Sequence, residues 1–309
     1  MFSDPNLEKV IRHAIRNPSG ALAVSDLASI RVLYASKSDV SRLEGIETCT
    51  GLEWLDLSSN RITDLSPIPA LKGLRHLDLD RNQVSDVRPL ATLRRIQGLH
   101  LARNPIASLD PVSGLETLQT LWLHNCGISN LAPLGRLTEL SRLSLNTNRI
   151  TDVTPLRRLT RLQLLLMNTN AITDIAPLSR LTKLRALFLH HNRITDIAPL
   201  SHLRSLMELQ LSFNRISDIS PLADLPHLKW LFLHSNRISE LAPLRGQTRL
   251  LALFLGRNLI EDIAPLSVHT GLVPGSVIRL GGNRLDKRPE SEAMRCIEGL
   301  RERGVSVSY

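Results

Sequence analysis

The sequence predicts a solenoid, a right-handed superhelix of the α/β type built around one parallel β-sheet. A 22-residue frame runs through ten consecutive units from Leu52 without an insertion, which is typical of proteins whose repeats stack on one another. Each unit opens with leucines that recur at a period of two, the pattern of a strand with one buried face. Nine of the ten units also carry an asparagine at their ninth position.

The strand is the first element of each unit, and LEWLDLSSN at 52–60 shows its pattern. Leucines at the fourth and sixth positions point into the core, so the third, fifth and seventh positions point out of the sheet. Neighbouring strands of a sheet lie about 4.8 Å apart. Stacked units therefore form a broad sheet, whose outward face we expect to be concave.

The asparagine that follows the strand is expected to be structural. The chain turns inward there, which leaves buried backbone donors and acceptors without partners in the sheet. An amide side chain carries two donors and an acceptor and can satisfy such groups in adjacent units. Cys126 replaces this asparagine in one unit, where we expect a buried, unreactive thiol. The asparagine ladder consists of Asn60, Asn82, Asn104, Asn148, Asn170, Asn192, Asn214, Asn236 and Asn258.

The second half of each unit, for example DIAPL at 174–178, returns the chain along the opposite side. Proline in this segment fixes φ and prevents a long helix. We therefore expect short 3₁₀ or extended segments on a convex side. The prolines concerned are Pro67, Pro89, Pro111, Pro133, Pro155, Pro177, Pro199, Pro221, Pro243 and Pro265.

The sequence divides into three segments. Residues 1–29 are predicted to form an N-terminal helical cap and residues 287–309 a C-terminal cap. Residues 30–286 hold the repeats: a degenerate first unit, the ten regular units and a partial last unit. Caps are expected because the end units of a solenoid otherwise expose their apolar surface.

Both caps contain helix signals. Asp4 and Pro5 have the order of an N-cap and a first helical residue, and an apolar stripe follows from Leu7. In the C-terminal cap we expect a helix over 289–303 that Gly304 ends, followed by a last edge strand.

The chain resembles the internalin-like, phosphatase-regulator-like subfamily of leucine-rich-repeat proteins over nearly its whole length. The opening FSDPNLEKVIRHAI, the ten LxxLxLxxNxIxDIxPL units and the ending GNRLDKRPESEAMRCIEGLRERGVSVSY carry this resemblance, and the ending looks like the terminal caps of bacterial members. The resemblance implies a solenoid that binds proteins through its concave face. It does not identify the partner, because the partners of this family are unrelated to one another.

Motifs for catalysis and cofactor binding are missing from the sequence. It contains no glycine-rich phosphate loop, no HExxH or GxSxG, and no CxxC spacing among its three cysteines. His124, His190 and His234 share one position of the unit, but they are two or three units apart, which is too far for one metal ion. We therefore expect no enzymatic activity, no cofactor and no metal site.

The net charge of +9 supports an alternative function. An arginine follows the ladder asparagine in many units, as at Arg149, Arg193 and Arg215, and an acidic residue lies three positions further on. We expect these rows to form solvated ion pairs of small value. If the arginines instead track phosphates, the protein is a basic scaffold for nucleic acid or another anionic surface. A third interpretation is a structural spacer without a dedicated partner.

Aromatic residues favour a protein-binding face. Six of the ten in the chain, Trp54 among them, fall at outward strand positions, although leucine and isoleucine supply the repeat core. Aromatic residues grouped on one exposed face are typical anchors of protein interfaces, and stacking that only stiffens the sheet is the alternative. The predicted partner-binding residues are Trp122, Arg142, Phe188, His190, Glu208, Trp230, Phe232, His234 and Phe254.

We accordingly expect a monomer that binds another protein, and we do not favour nucleic acid as the partner. No apolar stretch is long enough to span a membrane. The N-terminus lacks the apolar segment of a signal peptide. These features favour a cytoplasmic protein, and a secreted or cell-surface protein whose signal peptide has been removed is the alternative.

Overall fold

The computed structural model describes residues 2–269 and 271–309, so Met1 of the predicted N-terminal cap lies outside the described residues. The chain divides into two compact units, Met1–Arg149 and Ile150–Tyr309. Each unit is a stretch of solenoid to which every coil contributes one strand of three residues. Within the described ranges, no helix is both long enough and apolar enough to cross a membrane.

The described residues of the first unit form two α-helices and six strands. Helix α1 spans Pro5–Ala14 and helix α2 spans Val24–Ser29. The strands pair in parallel and in chain order, and each residue lies opposite the residue 22 positions later. They are β1 Val32–Tyr34, β2 Trp54–Asp56, β3 His76–Asp78, β4 Gly98–His100, β5 Thr120–Trp122 and β6 Arg142–Ser144.

In the second unit, residues 150–269 and 271–309 form seven strands, helix α3 at Ala264–Ser267 and helix α4 at Glu292–Glu302. Its strands also pair in parallel and in chain order. The predicted parallel sheet is therefore confirmed in each unit. The strands are β7 Leu164–Leu166, β8 Ala186–Phe188, β9 Glu208–Gln210, β10 Trp230–Phe232, β11 Ala252–Phe254, β12 Val277–Arg279 and β13 Ser306–Ser308.

The core of each unit is a stack of leucines. The middle residue of every strand points inward, as Leu231 and Leu253 do without measurable exposure. On the opposite side, the return segments form 3₁₀ turns, and a proline is the second residue of turns such as Ala176–Arg180 and Ala198–His202. The predicted 3₁₀ segments of the return side are confirmed. Proline fixes φ near the start of each segment, and each segment ends after a few residues.

The acidic residues that lie three positions after the arginines of the repeats have a different role from the one predicted. Asp174 and Asp196 accept hydrogen bonds from the backbone N–H two residues later, at 2.7 and 2.8 Å. Such an Asx turn starts the 3₁₀ segment that follows it. Among the described residues, Arg193, Arg215 and Arg237 form no ion pair. The expected pairing of the two rows is therefore wrong for these units, because the carboxylates bind backbone instead.

The residue before the ladder position, which holds asparagine in nine repeats and Cys126 in the other, has a positive φ between 54° and 57° in all ten regular repeats. None of these residues is glycine, so the sequence did not indicate this conformation. A side chain in the left-handed region costs about 1 kcal/mol or more. The ladder hydrogen bonds that surround the turn, such as those from Asn192 to Met167 and Leu189 at 3.0 and 2.9 Å, hold it in place.

Asp4 joins the N-terminal cap to the repeats. One of its carboxylate oxygens accepts hydrogen bonds from the backbone of Asn6 and Leu7, so Asp4 is the N-cap residue that the sequence indicated. The other oxygen accepts from the backbone N–H groups of Ser41 and Arg42, at 2.7 and 3.1 Å. Burial alone would raise the pKa of Asp4, but these N–H donors hold it below its usual value.

The C-terminal cap differs in its boundaries from the prediction. Helix α4 begins at Glu292 rather than at residue 289, because the Ser291 hydroxyl accepts a hydrogen bond from the Met294 backbone at 3.2 Å and caps the helix there. Gly304 follows the helix with a φ of 78°. The expected edge strand is confirmed as β13, which pairs with β12.

Two polar residues replace core leucines close to the C-terminal cap. Gln247 and His269 occupy the position that Leu203 and Leu225 hold in earlier units, and both are almost completely buried. Nδ1 of His269 accepts a hydrogen bond from the Gly271 backbone at 3.1 Å, which a protonated ring cannot do. Burial lowers the pKa of His269.

We expect His269 to destabilise the fold as the pH falls from 7 to 5. The unfolded chain takes up the proton near the usual histidine pKa of 6.5, whereas the folded chain resists it. Stability is therefore present above this pH and is lost below it, by at most about 1.4 kcal/mol per pH unit for one proton. His269→Leu should show a shallower pH dependence in urea unfolding. Equal pH dependence in the two proteins would contradict this expectation.

Candidate partner-binding surface

The outward sheet face of the second unit carries an aromatic patch, defined as Phe213, Trp230, Phe232 and Phe254. Trp230 and Phe232 lie on this face because Leu231 between them is fully buried. Phe254 lies opposite Phe232 on the neighbouring strand β11. The patch thus combines outward positions of β10 and β11 with the turn that follows β9.

The four rings of the patch differ in exposure. Phe232 and Phe254 are half-buried and stack on each other, with ring centroids 4.7 Å apart and an angle of 14° between the planes. Trp230 is 37% exposed and Phe213 is 38% exposed. The ammonium of Lys229 lies 5.9 Å from the centroid of the Trp230 ring. Stacking along the sheet therefore explains the half-buried pair, whereas Trp230 and Phe213 each keep more than a third of their surface exposed.

Phe213 is absent from the predicted binding residues, because its position directly precedes a ladder asparagine in a turn. It has a φ of 55°. Its ring stacks on that of His191 at 4.0 Å and meets the edge of the His234 ring at 4.8 Å. The signal that could have revealed it is a phenylalanine at a position that other units give to polar or charged residues.

Histidines border the aromatic patch. Nδ1 of His234 lies 2.7 Å from the Ser212 hydroxyl, and the backbone N–H of His190 donates to Oδ1 of Asn168 at 3.0 Å. Burial lowers the pKa of both His190 and His234, and the neighbouring His191 lowers both further. The His190 and His234 rings are therefore uncharged at neutral pH.

Seven of the nine predicted residues lie on the outward face of the second unit, and Trp230 is the exposed one of these seven. Glu208 accepts a hydrogen bond from the Gln210 amide at 3.0 Å. The other two predicted residues belong to the first unit, where Trp122 is half-buried and Arg142 is exposed. The seven are Phe188, His190, Glu208, Trp230, Phe232, His234 and Phe254.

Tryptophan and histidine rings follow the outward face of the first unit. Trp54 and His76 have centroids 4.4 Å apart. The ring centroid of Trp122 lies 5.8 Å from that of His100 and 6.4 Å from that of His124. In the first unit, histidine rings at neighbouring outward positions thus pack against the tryptophans, as the phenylalanine rings of the second unit pack against each other.

Two carboxylates and an imidazole converge beside these rings. Nδ1 of His100 lies 3.2 Å from a carboxylate oxygen of Asp78. Burial, together with the charge of Asp78, raises the pKa of Asp80 to about 6. Burial would lower the pKa of His100, but its contact with Asp78 raises it overall. The sequence analysis did not identify this cluster, because its three residues belong to two neighbouring coils.

Comparison with known families identifies the repeat. A sequence profile described as "Leucine Rich repeats (2 copies)" matches residues 50–92, 116–158 and 160–202, and one described as "Leucine rich repeat" matches residues 182–238. Together with the leucine core and the asparagine ladder, these matches define the class: the protein is a leucine-rich-repeat protein. A search of curated proteins gives no match.

Similar solved structures define the subfamily. An internalin, inlF, from Listeria monocytogenes is 31% identical, with a TM-score of 0.87 over 100% of this chain and 96% of that one. Internalin C2 from the same organism is 35% identical, with a TM-score of 0.61 over 75% and 94% of the two chains. The chain belongs to the internalin-like leucine-rich-repeat proteins.

A more distant structure shows how widely this fold occurs. The leucine-rich-repeat ectodomain of the plant receptor kinase GASSHO1/SCHENGEN3 from Arabidopsis thaliana is 23% identical, with a TM-score of 0.75 over 93% of this chain and 36% of that one. This likeness concerns the fold alone. The leucine-rich-repeat profile and the internalins place the chain among protein-interaction scaffolds.

Proposed function

We propose that the chain is a monomer that binds another protein through the outward sheet face of its second unit, with the aromatic patch at the centre of the contact. The observation that supports this proposal most directly is the exposure of Trp230 and Phe213 on a surface that also carries the stacked pair of Phe232 and Phe254. A complete leucine core lies beneath the sheet, so the exposed rings are not required for packing.

The surroundings of the patch suit a protein interface. Large aromatic anchors near the centre of a contact contribute most of its binding free energy, and a polar rim around them excludes water. His190 and His234 form part of this rim as neutral rings, which are removed from water at a lower cost than charged groups. Glu208 with its amide partner Gln210 supplies the acidic side of the rim.

Phe188 lies on the same face of the second unit, on strand β8, and we include it as a further contact. Trp122 and Arg142 are proposed as contacts on the outward face of the first unit. A protein of this kind needs no cofactor, and we propose binding rather than catalysis as its activity.

Replacement of both Trp230 and Phe232 with alanine is expected to weaken partner binding by roughly 700-fold, which corresponds to about 4 kcal/mol. Each aromatic anchor contributes about 2 kcal/mol or more to a typical interface. The free energy of unfolding should change by less than about 1 kcal/mol for the exposed Trp230 and somewhat more for the half-buried Phe232. The measurement is quantitative capture of proteins from a lysate of the source organism by the wild type and the variant, alongside urea unfolding of both.

Tyr34→Ala with Trp54→Ala is the matched control, because it removes two exposed aromatic rings from the first unit. This control should keep the partners that the patch variant loses. If the patch variant folds and keeps every partner, the binding surface lies elsewhere. If binding instead falls steeply with salt and disappears on charge reversal of Arg193, Arg215 and Arg237, the protein is the basic scaffold of the alternative hypothesis.

A further inference from the structure

We propose that Asp78, Asp80 and His100 form a binding site for one divalent transition-metal ion of the zinc type. The three side chains belong to two neighbouring coils of the first unit. Each can offer one ligand atom, and these three atoms all lie within 4.8 Å of one another. This site is separate from the aromatic patch, so it goes beyond the proposed partner binding.

The fold brings the three residues together through the register of two strands. Asp78 ends β3 and lies directly opposite His100 at the end of β4. Asp80 occupies the next outward position after Asp78, because successive outward residues are two apart. The arrangement therefore rests on paired backbone and does not depend on a mobile loop.

The distances suit a small ion with few ligands. Nitrogen and oxygen ligands at about 2.0–2.1 Å from a tetrahedral zinc ion are roughly 3.3 Å from one another. The His100 nitrogen and the Asp78 oxygen are already 3.2 Å apart. The Asp80 carboxylate needs to approach by about 1.5 Å at most, which rotation of its side chain can provide.

Backbone donors hold both carboxylates in place. Oδ1 of Asp78 accepts a hydrogen bond from the Asp80 N–H at 2.9 Å, and Oδ1 of Asp80 accepts from the Ala102 N–H at 2.7 Å. The second oxygen of Asp78, Oδ2, faces Nδ1 of His100. Hydrogen bonds that orient ligands in this way raise metal affinity about 10- to 100-fold in known sites.

The mixture of ligands selects the class of ion. An imidazole nitrogen with two carboxylates suits zinc and its neighbours in the first transition series, whereas calcium takes six to eight oxygens. A pocket of about 100 Å³ is lined by Asp78 and His100 and by the rings of Trp54 and His76. A three-ligand site beside such a pocket leaves a fourth position for water or for an external ligand.

The test is zinc titration of the tag-free protein in competition with a chromogenic chelator, with cobalt absorption as the second readout. We expect one zinc ion per chain, and at least about tenfold weaker binding in each of Asp80→Asn and His100→Gln. Asp80→Asn keeps an oxygen for the Ala102 N–H, and circular dichroism melting verifies that the variants fold. Should Asp80→Asn fail to fold, His100→Gln alone decides, because His100 holds no backbone group.

Asp56→Asn is the matched control, since it removes the same charge from the neighbouring outward position on β2. Unchanged zinc affinity in this variant, with weakened affinity in the other two, supports the site. The proposal is overturned by any of three results: no zinc binding, equal losses in Asp56→Asn and Asp80→Asn, or no loss in His100→Gln. Calcium that binds as tightly as zinc would also overturn it.

Discussion

Deletion of residues 1–29 is expected to abolish cooperative folding and to leave a chain that aggregates. The cap buries Phe2, Leu7, Ile11 and Leu27 to 7% exposure or less. Each large apolar side chain contributes about 1.5–3 kcal/mol when it is fully buried, so the four together contribute about 6–12 kcal/mol. This is comparable with the whole stability of a typical domain, about 5–15 kcal/mol.

The deletion also removes polar contacts. Without Asp4, the backbone N–H groups of Ser41 and Arg42 lose their carboxylate partner. The apolar side of the first coil, including Leu33 and Leu43, would then face water. Both losses act at the same end of the first unit, so unfolding should begin there and should not remain local.

Size-exclusion chromatography and thermal unfolding measure the outcome of the deletion. Val24→Ala is the control, because this residue belongs to the same segment but is 72% exposed. It should leave the protein monomeric, with an unchanged melting temperature. A truncated chain that remains monomeric and melts like the wild type would show that residues 1–29 are an appendage rather than a cap.

The repeat made most of the fold predictable from the sequence. Leucine at a period of two leaves one register in which the core side chains all point inward, since a slip of one residue would expose every one of them. The prolines of the return segments exclude long helices in the same way. The parallel strands and the 3₁₀ turns therefore follow from local rules that every unit repeats.

Features that depend on a single side chain could not be predicted in this way. The start of α4 depends on the Ser291 hydroxyl, and the aspartate row binds backbone because a short carboxylate reaches the N–H two residues on before it reaches an arginine. The residue with left-handed backbone in each repeat is not a glycine, so the sequence does not mark its conformation. Its conformation results from the surrounding ladder and not from its own preference.

The candidate surfaces were predictable in part. Outward strand positions located Trp230, Phe232 and Phe254 correctly on one face. Phe213 was missed because a turn position gives no indication of where its ring lies. The proximity of Asp80 to His100 follows from the pairing of adjacent strands. Outward positions of neighbouring coils, taken together, predict it.

Replacement of both Asn192 and Asn214 with alanine is expected to lower the free energy of unfolding by about 2–6 kcal/mol. The Oδ1 atoms of these asparagines accept hydrogen bonds from the backbone N–H groups of Ile172 and Ile194, each at 3.0 Å. Their amide nitrogens donate to buried carbonyls, among them that of Leu189. Each buried group left without a partner costs about 1–3 kcal/mol, and at least one donor is left in each unit.

Cys126→Asn is the matched change in the opposite direction. Burial raises the pKa of the Cys126 thiol to about 11, so the thiol remains protonated and is a weak partner at neutral pH. It contacts the Leu101 carbonyl at 3.2 Å, while the Ile106 N–H bonds to the Asn104 carbonyl instead of to a ladder amide. An asparagine here would offer Ile106 the acceptor that other units have, so stability should remain unchanged or rise by about 1 kcal/mol. Urea unfolding of both variants measures the contribution of the ladder to the free energy of unfolding. A double alanine variant as stable as the wild type would show that the ladder does not hold the coils together. A Cys126→Asn variant that is clearly less stable than the wild type would show the same.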